Sequence, residues 1–296
     1  MSTAFAPGKC ILFGEHAVVY GHPAVAVSID SGVEITIEES EDWEINNQYN
    51  TDGYEKFNPK KHPHIQHIIR NLFNYEGKPL RINVQSNLFS GAGLGSSAAL
   101  SNAMGAALHQ FTKPGKEIDL IKLSKIGHSA EAATQEGRAS PTDSAASSLG
   151  GCVVVSGERI DTLEHVFDTS LVTPEGKRSW SIHHAELHKN INQSWLVLGF
   201  TGQSSPTGKM VSGVAERLKQ NHELYEEMKS IENITIAGLT ALKAGNLEAV
   251  GMAMNSCHEK LKILGVSNEL LDLMVSATRP HSFGSKLTGA GGGGCM

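Results

Sequence analysis

The segment that most constrains this chain is Gly91-Ala92-Gly93-Leu94-Gly95-Ser96-Ser97-Ala98. It stands between residues 80–85, whose alternating side chains read as a strand, and residues 98–110, an alanine-rich, proline-free run that reads as a helix. Glycines at 91, 93 and 95 let backbone N–H groups come close to an anion, and the following helix points its positive dipole end at the same place. A phosphate can be held this way without a cluster of lysines; the plainer alternative is a flexible strand-to-helix turn. Ser96 and Ser97 can cap the helix, and Ser97 can equally reach a magnesium ion on a bound phosphate.

Two better-known phosphate patterns fail on spacing. Gly202 to Gly208-Lys209-Met210 has five intervening residues where a Walker A loop has four, and methionine where serine or threonine holds the metal. The dinucleotide fingerprint puts Ser96 in its third glycine place. Residues 289–294 match that fingerprint literally, but only Cys295-Met296 follow, so no helix start can receive a pyrophosphate. That run reads instead as a tight turn where two backbones approach.

The 296 residues, 40% of them hydrophobic, suffice for one large or two medium domains. A net charge of −6 without a basic run excludes a general nucleic-acid binder. The cysteines at 10, 152, 257 and 295 are too dispersed for a disulfide framework or a zinc knuckle, which fits a reducing cytoplasm. No charged leader or membrane-spanning apolar stretch is seen, so the expectation is a soluble protein. Residues 24–29 and 33–38 read as two strands about an Asp30-Ser31-Gly32 turn, and 151–156 as a buried strand. Residues 117–136 read as a helix with Leu120, Leu123, Gly127 and Glu131 on one face, a stripe that carries a carboxylate. Residues 158–177 are polar and irregular, which suggests a domain boundary. Beyond it come strands at 195–200 and 282–287 and a helix with Val211, Val214, Ala215 and Leu218 inward. The class is α+β.

Three segments together resemble the GHMP kinase superfamily: residues 6–16 (Ala-Pro-Gly-Lys-Cys-Ile-Leu-Phe-Gly-Glu-His), the loop at 91–98, and Lys286-Leu287-Thr288-Gly289-Ala290-Gly291-Gly292-Gly293. Within it, residues 14–24 and Leu264-Gly265-Val266-Ser267, followed by Leu271-Asp272, are similar to the mevalonate kinase family. The resemblance implies a ribosomal-protein-S5-domain-2-like N-terminal domain (1–175) and a ferredoxin-like C-terminal domain (176–296). The chain stops at Met296 about where the family continues into a closing strand. It also implies ATP as co-substrate, Mg, and transfer of the γ-phosphate to the 5-hydroxyl of mevalonate; it leaves room for a homodimer. Two departures from the family's pattern are Phe89-Ser90 in place of a proline before the loop, and Pro141-Thr142 before the expected catalytic aspartate.

On that resemblance Asp143 is the general base, Lys9 its electrostatic helper, Ser97 with Glu131 the metal pair, and residues 91–98 the nucleotide loop. Glu15, His16 and Thr207 contact the substrate. Taken without it, Asp143 can be read as a helix cap, Lys9 is most simply a solvated surface lysine, Glu131 is a buried carboxylate with a partner or the mark of a misphased stripe, and His16 is a core histidine. His62, His64 and His67 read as a solvated face rather than a metal site. A kinase for phosphomevalonate would need an added basic cluster, and no obvious one is present; a non-catalytic nucleotide sensor would need neither base nor metal pair.

Overall fold

The computed structural model describes residues 1–47, 53–135, 137, 139–173 and 176–296. In chain order the elements are β1 (Ser2–Phe13), β2 (Ala24–Glu39), β3 (Glu44–Asn47), β4 (Glu55–Lys56), α1 (Pro63–His67), β5 (Leu80–Ser86), α2 (Ser96–Thr112), α3 (Leu120–Thr134), α4 (Thr142–Leu149), β6 (Cys152–Ser156), β7 (Glu164–Thr173), β8 (Gly176–His184), α5 (Thr207–Gln220), α6 (Leu224–Ala244), α7 (Leu247–Ile263) and α8 (Glu269–Thr278). The strands form one sheet in the order β4-β3-β5-β2-β6-β8-β7, with β1 on the other edge of β2.

Where a turn is expected at Asp30-Ser31-Gly32, β2 runs straight through. Its first residues pair with β6 and its last with β5, while β1 follows it throughout. Gly32 permits the continuity by close approach: a Cβ there would stand 2.2 Å from Ala6 O. The ladder shifts register between Pro7, opposite Gly32, and Lys9, opposite Ser28. Such a bulge re-aims the side chain beside it. Lys9 therefore lies buried in a strand and is not a solvated surface lysine.

Alternate residues of the central strands go to opposite layers, as a sheet covered on both faces requires. Cys10, Leu12, Val25, Cys152 and Val154 pack with Val214, Met228, Ile231 and Leu261 of α5, α6 and α7. Their neighbours Ala24, Val153 and Val155 pack on Ala145 of α4. The alanines of α2 (Ala99, Ala103, Ala107) lie on Ile35, Ile37 and Ile82.

Several expected boundaries move. The Asp119 carboxylate accepts the Ile121 N–H (2.8 Å), so α3 starts there and not at 117. Along α3, Leu120 is exposed while Leu123, Gly127 and Glu131 are buried. His62, His64 and His67 are half-buried, with His64 and His67 bonded to Thr134 and Ser129 of α3. Residues 158–177, read as irregular, hold β7 and the first two residues of β8. The boundary expected at 175/176 falls beside Pro174-Glu175, outside the described residues, and between two strands of one sheet. Residues 195–200 and 282–287 are not strands. Pairing there is confined to Gly199–Thr201 against Gly294–Met296, through Gly199 N–H to Met296 O (3.0 Å), Met296 N–H to Gly199 O (2.9 Å) and Thr201 N–H to Gly294 O (3.0 Å). Among the described residues no helix is long and apolar enough to cross a membrane.

In the second half, His258 of α7 accepts the Leu287 N–H at Nδ1 (3.3 Å), so its Nε2–H faces Asp272 Oδ1 at 3.3 Å. Burial lowers its pKa to about 4 from 6.5. The unfolded chain thus binds a proton that the folded one refuses between these values. This contribution is complete above pH 6.5 and lost as pH falls toward 4, about 3 kcal/mol in all. Urea unfolding at pH 7 and pH 4.5 should show a smaller loss for His258→Gln than for the parent.

Candidate active site

A cleft enclosing about 990 Å3, partly open to solvent, brings together Lys9, Glu15, His16, Glu131, Asp143, Thr207 and much of the glycine loop. Gly91, Gly93 and Gly95 have φ of 63°, 77° and 71°, a region that favours glycine. Four successive carbonyls are tied back into the protein. Gly91 O accepts the Ser205 N–H (2.6 Å), Ala92 O the Cys295 N–H (3.0 Å), Gly93 O the Lys9 ammonium (2.8 Å) and Leu94 O the Lys9 N–H (2.9 Å). No N–H from Gly91 to Ala98 has a protein acceptor among the described residues. Those donors, at the N-terminus of α2, form a ready anion cradle. The side chains of Leu94 and Ala98 turn into the core and do not line the cleft.

The second glycine run backs the first. A Cβ on Gly289 (φ 79°) would lie 2.8 Å from Gly93 O, which is the close approach of two backbones expected for that run. The Leu264-Gly265-Val266-Ser267 segment supports it from behind, with Val266 O accepting the Gly292 N–H (2.8 Å).

Asp143 sits in the first turn of α4. His128 Nε2–H donates to Ala139 O (3.0 Å) ahead of that turn and Asn102 Nδ2–H to Ser144 O (3.0 Å) within it. The Asp143 carboxylate lies 3.2 Å from Lys9 Nζ and keeps 34% of its side-chain surface open to the cleft. Burial raises its pKa; the Lys9 ammonium pulls it down again, and the Glu131 carboxylate adds to the rise.

Glu131 is buried. Its Oε2 accepts from Gln135 Nε2 (2.7 Å). Its Oε1 lies 3.2 Å from His64 Nε2, which is also bonded to Thr134 Oγ1 (2.9 Å), and makes no hydrogen bond among the described residues. A buried, unsatisfied carboxylate oxygen on the cleft wall, with Ser97 lining the same cleft, fits a hard divalent cation completed by water and phosphate oxygens.

Glu15 is committed within the protein. One oxygen pairs with the Lys286 ammonium and the other accepts from Cys257 Sγ (3.7 Å), all buried. Burial works against the charge on Lys286, yet the Glu15 carboxylate holds its pKa above the ordinary value. His16, at φ 59° and ψ −44°, donates from Nε2 to Ala290 O (2.9 Å), and burial lowers its pKa so that the ring is neutral at pH 7. Thr207 opens α5 on the far wall, exposed. Sequence reasoning missed Lys286, His128, Asn102, Gln135 and Ser205, the last donating to Gly291 O (2.6 Å). Lys286 begins the third quoted segment, and its lone charge before an apolar residue was the available signal.

An anion cradle, a paired lysine and aspartate, and a metal-competent carboxylate beside them define a phosphotransfer site of the small-molecule kinase class. The GHMP kinases N terminal domain model matches residues 63–151 and the GHMP kinases C terminal model residues 239–296. A mevalonate kinase of Methanothermobacter thermautotrophicus is 34% identical over all of this chain and 89% of its own length. One of Methanocaldococcus jannaschii is 29% identical, over 98% and 89%. A Methanococcus jannaschii mevalonate kinase structure superposes with TM-score 0.74 at 27% identity, over 99% and 88%. A Leishmania mevalonate kinase in complex with R-mevalonate ("L. major") gives 0.77 at 22%, a likeness of fold, over 100% and 86%. The chain belongs to the GHMP kinase family.

Removing one partner of the Glu15–Lys286 pair leaves a charge buried without a counter-ion. Lys286→Met should therefore cost ~3–5 kcal/mol of unfolding free energy. The double change Glu15→Gln with Lys286→Met should regain more than half of that, measured by denaturant titration.

Proposed function

We propose that this chain is a mevalonate kinase, which transfers the γ-phosphate of ATP to the 5-hydroxyl of mevalonate with magnesium. The observation that carries the reading is that residues 91–93 and 95–97, whose N–H groups have no protein acceptor among the described residues, line the same cleft as the Lys9–Asp143 pair. The names of the full-length relatives support the acceptor.

The cradle holds the nucleotide phosphates by donors that need no reorganisation. Asp143, with its carboxyl exposed to the cleft, accepts the hydroxyl proton as the phosphate is transferred. Burial raises its pKa above that of a free aspartate, which makes it a better base, and the Lys9 ammonium opposes that rise. The Lys9 ammonium, held by Gly93 O, also faces the charge that develops between loop and acceptor. Ser97 and Glu131 would hold the magnesium ion, which supplies positive charge to the phosphate oxygens. Glu15 supports the wall through Lys286, and the neutral His16 holds Ala290 in place, so their part in substrate contact is chiefly to shape the pocket. We place the start of the second domain after His184, where the sheet ends.

A coupled ADP-release assay with mevalonate, phosphomevalonate, homoserine and galactose should show turnover with mevalonate; turnover with another acceptor alone would remove this assignment. Asp143→Asn should lower kcat by ~10²–10⁴ with nucleotide affinity retained. The acid limb of kcat/KM reports Asp143 losing its proton and lies above the ordinary aspartate range. Because Lys9 lowers that pKa, Lys9→Met should move the limb to higher pH as well as reduce the rate.

A further inference from the structure

Beside the cleft lies a second, more apolar cavity of about 420 Å3, open to solvent, and Val19, Ala139 and Val211 line both. Tyr20 and Trp180 form its apolar walls, and Arg178 of β8 enters it with the guanidinium over the Tyr20 ring at 5.9 Å from the centroid. Among the described residues no carboxylate forms an ion pair with Arg178. A half-buried guanidinium beside apolar walls, with no carboxylate paired to it among the described residues, is suited to an anionic ligand.

Among the described residues, the other cations of the cleft are engaged. Lys9 is held by Gly93 O and Asp143, and Lys286 by Glu15. His16 donates its Nε2–H to Ala290 O. Ala139, four residues before Asp143, lines both cavities, so an acceptor whose hydroxyl meets Asp143 can extend past it toward Arg178.

We propose that Arg178 binds the carboxylate of the acceptor and that Val19, Tyr20 and Val211 pack its branched carbon skeleton, an assignment that rests on the reading of the acceptor as mevalonate. Arg178 is then the residue that selects a carboxylate-bearing alcohol over a neutral one. Its planar fork matches a carboxylate by paired hydrogen bonds, whereas lysine offers a point charge.

The test compares mevalonate with its C1 alcohol, 3-methylpentane-1,3,5-triol, in the parent, Arg178→Ala and Arg178→Lys enzymes. Arg178→Ala should raise KM for mevalonate by about 10–100-fold, the range for loss of a charge-assisted hydrogen-bond pair. Its kcat should change less than about threefold and its KM for ATP less than about twofold on the same reasoning. For the triol, parent and Arg178→Ala should give the same KM. Arg178→Lys should fall between parent and alanine with mevalonate, which keeps the test open if the alanine variant folds poorly. An unchanged KM for mevalonate in both variants, or equal losses with mevalonate and the triol, overturns the proposal. If the parent does not turn over mevalonate, the acceptor assignment fails first and takes this one with it.

Discussion

The site depends on two backbones packed without side chains between them. Gly93 and Gly289 stand so close that a β-carbon on Gly289 would press on the Gly93 carbonyl at 2.8 Å. That contact sets the height of the anion loop above the sheet, and it joins residues almost two hundred positions apart in the chain. The loop has little freedom left: four of its carbonyls are bonded backward, from Ser205, Cys295 and Lys9. A flexible glycine loop would spend ordering entropy on every ligand, whereas this one meets a phosphate with its donors already in place.

Around this contact the molecule places two buried lysines in unlike tasks. Lys286 is sealed against Glu15 and Cys257, with both carboxylate oxygens of Glu15 engaged, so it serves to hold the C-terminal glycine run against the end of β1. Thr288 completes that seam, its hydroxyl taking the Ile11 N–H (3.0 Å) and donating to Ile11 O (3.1 Å). Lys9, only a few residues before Glu15, is aimed by the β1 bulge at a carboxylate that remains one-third open to the cleft. The difference between a structural and a chemical ion pair here lies in solvent access to the acid, not in the distance between the charges.

Much of the site was legible because its parts carry strong local signals. Glycines at alternating positions before an alanine-rich helix point to a backbone anion site wherever they occur, and the observed loop has the left-handed φ values that only glycine takes readily. The β7–β8 hairpin was missed although its inward residues Phe167, Trp180 and Ile182 have the right period; polar and charged neighbours on the exposed face hid them. β2 was divided because Asp30-Ser31-Gly32 has turn composition. The structure uses Gly32 for close approach to Ala6 O instead, and its N–H donates to Asn87 Oδ1 (2.7 Å). The Glu15–Lys286 pair was beyond local reasoning, since nothing in either neighbourhood names a partner 271 residues away.

Glu131 and Asp143 pose the last physical question. Two carboxylates that face one cleft raise each other's cost, and burial raises it further, as the upward shift of Asp143 records. Lys9 pairs with Asp143; Glu131 has the neutral Gln135 amide on one oxygen and, among the described residues, no hydrogen bond on the other, which lies 3.2 Å from His64 Nε2. An arrangement that leaves a buried carboxylate oxygen unpaired next to an anion cradle is strained as a protein alone. On the proposed reading, a divalent cation beside Glu131 and a polyphosphate on the cradle would balance the two sides together.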